Sequence, residues 1–225
     1  MRQITNHDTI QTGHFIYYLL RPVARLLMRL VCRLSVRGLD HVPATGSLLL
    51  VSNHLSWIDP LLVASLIHRR TWFFAKREIF SWPIVGWLVR RTGQIPVHRG
   101  ESDRTALEQS LAYLHERRAL LVFPEGTVAR KEQMLAAHTG VAMLALRGGA
   151  MLLPIALTGS RRILRPGGGW RPHVSVQIGE PFVPSLPPGV SRKEALRSIT
   201  HDVMLRIAAM QPPQQRGVYV DQLPE

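Results

Sequence analysis

His54 and Asp59 are separated by four residues in the stretch Ser52-Asn53-His54-Leu55-Ser56-Trp57-Ile58-Asp59-Pro60. An imidazole of near-neutral pKa can take a proton from a hydroxyl. A carboxylate beside it can fix the ring tautomer and stabilise the imidazolium that forms. The pair therefore reads as a general base with its orienter, acting on a nucleophile that the substrate brings. Ser56 lies between them, but no Gly-x-Ser-x-Gly frame surrounds it, so it is read as a turn or helix-start residue. The spacing is short and the chain has 10 histidines. Alone, then, the pair is a weak pattern, and the elements that flank it matter.

The apolar run Leu48–Val51 leads into the pair and a second run, Leu61–Ile67, leads away. This predicts a buried strand that stops where a helix begins. Further strands are expected at Val36–Asp40 (an edge strand), Thr71–Ala75, Gly93–Gly100, Ala119–Phe123, Met151–Leu157 and Val174–Ile178. Helices are expected from Ser102 or Asp103 to about Arg118, over residues 134–147, and from a Ser191-x-x-Glu194 capping box to about Met210. Strands alternating with helices predict an α/β fold with a mainly parallel central sheet and helices on both faces. Sites in such a sheet lie at the C-terminal ends of strands. Four of those ends carry polar clusters: His54/Asp59, His98/Arg99, Glu125/Gly126/Thr127 and Thr158/Gly159.

The N-terminal part has a different character. Residues 1–13 are polar and read as loose. From His14 to Leu34, Arg21, Arg25, Arg29 and Arg33 recur every four residues among Phe15, Leu19, Val23, Leu26, Leu30 and other apolar side chains. Pro22 marks a helix start or a kink. A basic amphipathic helix of this kind can lie in a membrane interface; the alternative is a helix packed on the core with a solvated basic edge. Residues 77–92 are apolar and aromatic, suited to core, to an acyl-chain channel or to lipid contact. The expected division is a membrane-associating segment at 1–34, one domain at 35–210 and a flexible tail at 211–225.

Composition narrows the partners. A hydrophobic content of 46% over 225 residues fits one folded domain and excludes a disordered chain. A net charge of +13 implies a phosphate-rich partner: nucleic acid, an anionic membrane or a phosphorylated substrate. The arginine stripe is interleaved with apolar residues rather than with stacking aromatics, and no nucleic-acid-binding motif is present, so no nucleic acid is expected. The single cysteine, Cys32, excludes an internal disulfide and a cysteine-based zinc site, and no histidine spacing points to a metal. No stretch of about 18 uncharged apolar residues predicts a membrane-spanning helix, and no cleavable signal segment is expected.

The four clusters, in this order, resemble the motifs of the glycerophospholipid acyltransferase family, in particular the 1-acylglycerol-3-phosphate (lysophosphatidic acid) acyltransferases. Ser-Asn-His-Leu-Ser-Trp-Ile-Asp-Pro resembles the family's Asn-His-x-x-x-x-Asp block. Ala75-Lys76-Arg77-Glu78 through Gly86-Trp87, with Gly93–Arg99, resembles the second; Phe123-Pro124-Glu125-Gly126-Thr127 the third; Leu153-Pro154-Ile155-Ala156-Leu157 the fourth. The likeness runs from about Val36 to Pro181. It implies transfer of a fatty acyl group from acyl-CoA or acyl-acyl carrier protein to the hydroxyl of a lysophospholipid, giving phosphatidic acid when the acceptor is 1-acylglycerol-3-phosphate. No cofactor beyond the acyl donor is implied. His54 and Asp59 would be catalytic. Arg99, and less directly Lys76 and Arg130, would meet the acceptor phosphate; Glu125, in the Glu125-Gly126-Thr127 turn, would bind acceptor hydroxyls or orient Arg99. Membrane lipids would be partners, with the enzyme peripheral or monotopic on the cytoplasmic face of the inner membrane. Two positions depart from the family pattern. Val128 stands where an arginine usually follows the threonine, and His98 stands where a polar or acidic residue usually precedes Arg99. Other acceptors, such as a lyso-ornithine lipid, therefore stay open, as does a catalytically silent membrane-binding relative.

Overall fold

A computed structural model describes residues 6–97, 103–165, 167, 169–186 and 189–223. Seven strands form one sheet in the order β1-β7-β6-β2-β5-β3-β4. They are β1 (Arg33–Arg37), β2 (Leu48–Ser52), β3 (Thr71–Lys76), β4 (Ile95–Val97), β5 (Ala119–Val122), β6 (Met151–Thr158) and β7 (His173–Ile178). All pairs are parallel except β6 with β7. The helices are α1 (Asn6–Val31), α2 (Asp59–Leu66), α3 (Pro83–Arg91), α4 (Arg104–His115), α5 (Gly140–Gly148) and α6 (Arg192–Ala209).

The central strand β2 is buried along its whole length, as a parallel strand covered on both faces must be. Its side chains alternate. Leu49 and Val51 join a core with α4, α5 and α6, while Leu48 and Leu50 join one with α2 and the end of α1. The expected helices on both faces are thus present. The capping box at Ser191 and Glu194 opens α6 as its spacing predicts, and Asp103 caps α4 by accepting from the Ala106 N–H at 3.0 Å.

Four expectations differ from the structure. The edge strand expected at Val36–Asp40 runs instead over Arg33–Arg37, and a 3-10 turn follows at Leu39–His41. The chain is helical from Asn6, with Pro22 inside α1 rather than at its start. The helix expected over residues 134–147 begins only at Gly140, because the backbone of the preceding segment bonds elsewhere: Met134 N–H donates to Gln215 O, and His138 N–H to Pro124 O. The first of these bonds also holds part of the expected flexible tail. Residues 211–223 fold back in 3-10 turns, bury Tyr219, and donate from Val218 N–H to Met134 O.

Nor is α1 a detachable segment. Tyr17 is buried and its hydroxyl donates to Ala64 O at 3.0 Å. Arg21 donates to the carbonyls of Ser65, Leu66 and His68, where a cation satisfies the open C-terminal end of α2. One member of the arginine stripe is therefore spent on packing. Phe15, Leu19, Val23, Leu26, Leu27 and Leu30 remain exposed along the helix. None of the described helices is long and apolar enough to cross a membrane.

Candidate active site

The parallel arrangement puts the C-terminal ends of β2, β5 and β6 on one edge of the sheet. As β2 ends, its backbone turns away from β6, and the Asn53 side chain replaces the missing ladder. Its amide donates to Leu157 O at 2.9 Å and its carbonyl accepts from Leu157 N–H at 2.8 Å. The next residue is His54.

His54 Nδ1 lies 3.0 Å from Asp59 Oδ2. A carboxylate oxygen only accepts, so Nδ1 carries the proton and Nε2 keeps its lone pair. The backbone N–H groups of Leu55 and Ser56 also donate to Asp59 Oδ2, each at 2.7 Å. The loop between base and orienter is thus wound around one carboxylate oxygen, at the first turn of α2, where the helix dipole favours negative charge. Asp59 is 0% exposed and His54 5%. Phe123, just past β5, stacks on the imidazole with ring centroids 4.1 Å apart and planes 23° from parallel. Two strands therefore fix the ring: β2 delivers it and β5 sets its plane.

Glu125 closes the other side and is 4% exposed. Neither of its oxygens has a hydrogen-bond partner among the described residues. Burial pushes its pKa up to about 8; the Asp59 charge adds to this, and the nearby N–H groups of His54 and Leu135 oppose it. Glu125 is therefore largely protonated at neutral pH and can donate a hydrogen bond. A carboxyl whose native pKa lies above its unfolded value binds more protons folded than unfolded, so stability falls as pH rises between the two values. The expected result is that wild type loses stability, relative to Glu125→Gln, between the ordinary value of 4.5 and about 8. Thermal melts of the two proteins across that range check it; parallel curves would contradict the raised pKa.

The remaining candidates are dispersed. Gly126 has φ 67° and turns the chain, in the left-handed region that glycine tolerates. Thr127 and Arg130 are exposed. Lys76 ends β3 on the same edge, two strands from β2, and its ammonium is 4.0 Å from Glu78 Oε1. Arg99, with His98, lies outside the described residues. Sequence reasoning passed over Asn53 and Phe123, although both stand inside the quoted motifs. It also missed Arg161, whose guanidinium donates to Ala129 O, while Ala129 N–H donates to His54 O at 2.8 Å. No local pattern marks that contact, because it joins residues 32 apart.

A buried imidazole whose Nδ1–H is held by a carboxylate, at the strand ends of a parallel sheet, can activate a hydroxyl of a substrate. The comparisons agree with that chemistry. A family profile described as Acyltransferase matches residues 33–158, and the chain belongs to this family. It is 32% identical to a lyso-ornithine lipid O-acyltransferase of Pseudomonas aeruginosa, over 75% of this chain and 70% of that protein. It is 26% identical to a 1-acyl-sn-glycerol-3-phosphate acyltransferase of Streptococcus pneumoniae, over 81% and 68% of the two chains. The crystal structure of the 1-acyl-sn-glycerophosphate (LPA) acyltransferase PlsC of Thermotoga maritima shares the fold, with a TM-score of 0.72 and 22% identity, over 92% of this chain and 84% of that one.

Proposed function

We propose that this O-acyltransferase moves a fatty acyl group from a thioester to the free hydroxyl of a lysophospholipid, with 1-acylglycerol-3-phosphate as acceptor and phosphatidic acid as product. The observation that carries the reading is the His54–Asp59 pair, its Nδ1–H held by Asp59 and its Nε2 left with a lone pair. Nε2 takes the proton as the acceptor oxygen attacks the thioester carbonyl carbon. The tetrahedral adduct collapses, the C–S bond breaks, and the proton passes from the imidazolium to the leaving thiolate. Asp59 stabilises the imidazolium between those events. Protonated Glu125 donates to an acceptor oxygen, and Arg99 is assigned to the acceptor phosphate, with Lys76 and Arg130 adding charge around it.

A second acceptor has a specific argument in its favour. Relatives of 32% identity from two bacteria are lyso-ornithine lipid O-acyltransferases, and Val128 leaves this chain without the arginine expected after Thr127. Purified protein with a long-chain acyl thioester and either lysophosphatidic acid or lyso-ornithine lipid separates the two. Ester formed on lysophosphatidic acid is the expected result. Ester only on the ornithine lipid would reassign the acceptor and keep the chemistry; ester on neither would overturn the reading.

The enzyme is further proposed to sit on the cytoplasmic face of the membrane, held by the exposed apolar side of α1 together with Trp82, Ile84, Val85 and Trp87 on and beside α3. Removing α1 would take core residues with it, so the informative change is Leu26→Glu with Leu30→Glu. That variant is expected to lose vesicle binding in flotation while still acylating acceptor in detergent. Undiminished flotation would place the anchor elsewhere.

A further inference from the structure

A groove of about 550 Å³ opens between residues 137–139 and the first two turns of α6, lined by His138, Thr139, Arg192, Lys193, Leu196 and Arg197 among others. That volume suits a small ligand. No acidic residue lines it, and Arg192, Lys193 and Arg197 form no ion pair among the described residues. The nearest carboxylate on the helix, Glu194, is engaged in the capping box with Ser191. Because that box already occupies N–H groups at the helix start, the side-chain cations are what the groove offers an anion.

The groove adjoins the turn that carries Glu125. His138 N–H donates to Pro124 O at 2.9 Å, and a Cβ added at Gly126 would stand 3.3 Å from the His138 ring. One wall of the groove is thus the segment packed against the turn that carries Glu125. Its place in the layers matters as much. The longest run of exposed apolar residues lies on α1 and around α3, and α1 packs with α2 on one face of the sheet; others, among them Trp170, Val183, Leu186 and Val190, are exposed elsewhere. The groove lies over α5 and α6, on the other face. With α1 and α3 on the lipid, as proposed above, this other face is turned to water, from which a water-soluble donor comes.

We propose that this groove binds the nucleotide phosphates of a coenzyme A thioester, the acyl donor. The proposal rests on the thioester reading above and names the donor for it. The long pantetheine arm separates those phosphates from the thioester, so a phosphate site set to one side of His54 suits the molecule. Three exposed cations, of which Arg197 also acts on the Glu194 carboxylate, complement its clustered negative charge.

The test is the triple variant Arg192→Ala, Lys193→Ala, Arg197→Ala in the full chain. It is compared with wild type using palmitoyl-CoA and palmitoyl-pantetheine, which lacks the phosphates, and by equilibrium binding of adenosine 3′,5′-bisphosphate. The expected result is a rise of roughly tenfold in KM for palmitoyl-CoA, from three exposed phosphate contacts. The KM for palmitoyl-pantetheine should not change, and binding of the bisphosphate should weaken by a similar factor. Equal loss with both thioesters would mean that the residues serve the fold, and would overturn the proposal. Unchanged KM for palmitoyl-CoA would also overturn it, as would a loss confined to palmitoyl-acyl carrier protein, which would give the surface to a protein carrier. Should no thioester react, the bisphosphate decides alone: binding that the triple variant weakens supports the groove, and absence of binding sinks it, independently of the acyl-transfer reading.

Discussion

Replacing His54 by alanine is expected to lower kcat by roughly two to four orders of magnitude, the range that loss of a positioned general base produces. Nothing else in the described site can take the acceptor proton in the same way. Asp59 is wrapped by three donors on one oxygen, and Glu125, with its pKa near 8, is mostly protonated where the reaction would run. The KM for the acceptor should change little, because the imidazole acts on the proton in flight rather than on the bound headgroup. The fold should survive. Asp59 Oδ2 loses one donor but keeps the N–H groups of Leu55 and Ser56, and the cavity left against Phe123 costs about 1–3 kcal/mol. Steady-state kinetics beside a thermal melt make the comparison. Turnover near wild type would remove His54 from the mechanism; turnover lost together with the melting transition would mean that the substitution had only unfolded the protein.

Asp59 permits a finer separation. In Asp59→Asn the two backbone N–H groups of Leu55 and Ser56 select the orientation of the amide, because its NH₂ cannot face two donors. The amide oxygen therefore takes the place of Oδ2. His54 Nδ1–H keeps its acceptor and the tautomer is preserved. What disappears is the negative charge beside the imidazolium. A fall in kcat of about one to three orders of magnitude is expected, with a smaller loss of melting temperature than alanine causes, from the amide NH₂ that enters the buried Oδ1 position without a partner among the described residues. Asp59→Ala should behave differently. It leaves two buried backbone N–H groups and the His54 Nδ1–H without that acceptor, at about 1–3 kcal/mol each, and so should lower the melting temperature by several degrees as well as the rate. If asparagine and alanine gave equal rates and equal melts, the carboxylate would be no more than a packing group. If asparagine kept full activity, the charge would play no part in the transition state.

The sequence by itself determined most of the architecture, through signals that are local. Leu48–Val51, buried in both directions, reads as a central strand of a covered parallel sheet because no polar position interrupts it. The Ser191/Glu194 box marks the start of α6, since a cap needs only residues three apart. His54 and Asp59 are five apart on one loop, so their pairing was legible, and Glu125 was placed at the end of β5, on the same edge, by the motif that contains it. The family blocks pointed to the same positions and implied the chemistry.

The tertiary structure decided what depends on distant contacts. Arg21 reads as one member of a cationic stripe, yet the open carbonyls of α2 claim it, 44 residues further on. The tail reads as loose because it is rich in Pro and Gln; backbone bonds to Met134, which no local pattern announces, hold it down. Residues 134–139 have helical composition, but the N–H groups of Met134 and His138 are taken by that tail and by Pro124, so α5 waits until Gly140. Glu125 carries an ordinary carboxylate in the sequence, and only burial beside Asp59 makes it an acid near pH 8. The groove beside His138 exists because α6 folds across the start of α5, bringing together cations more than 50 residues from that histidine in the chain. Local periodicity and caps act over one or two turns, and a sequence shows them directly. Desolvation, ion placement and the destination of an unpaired N–H depend on which surfaces meet, and the fold alone settles that.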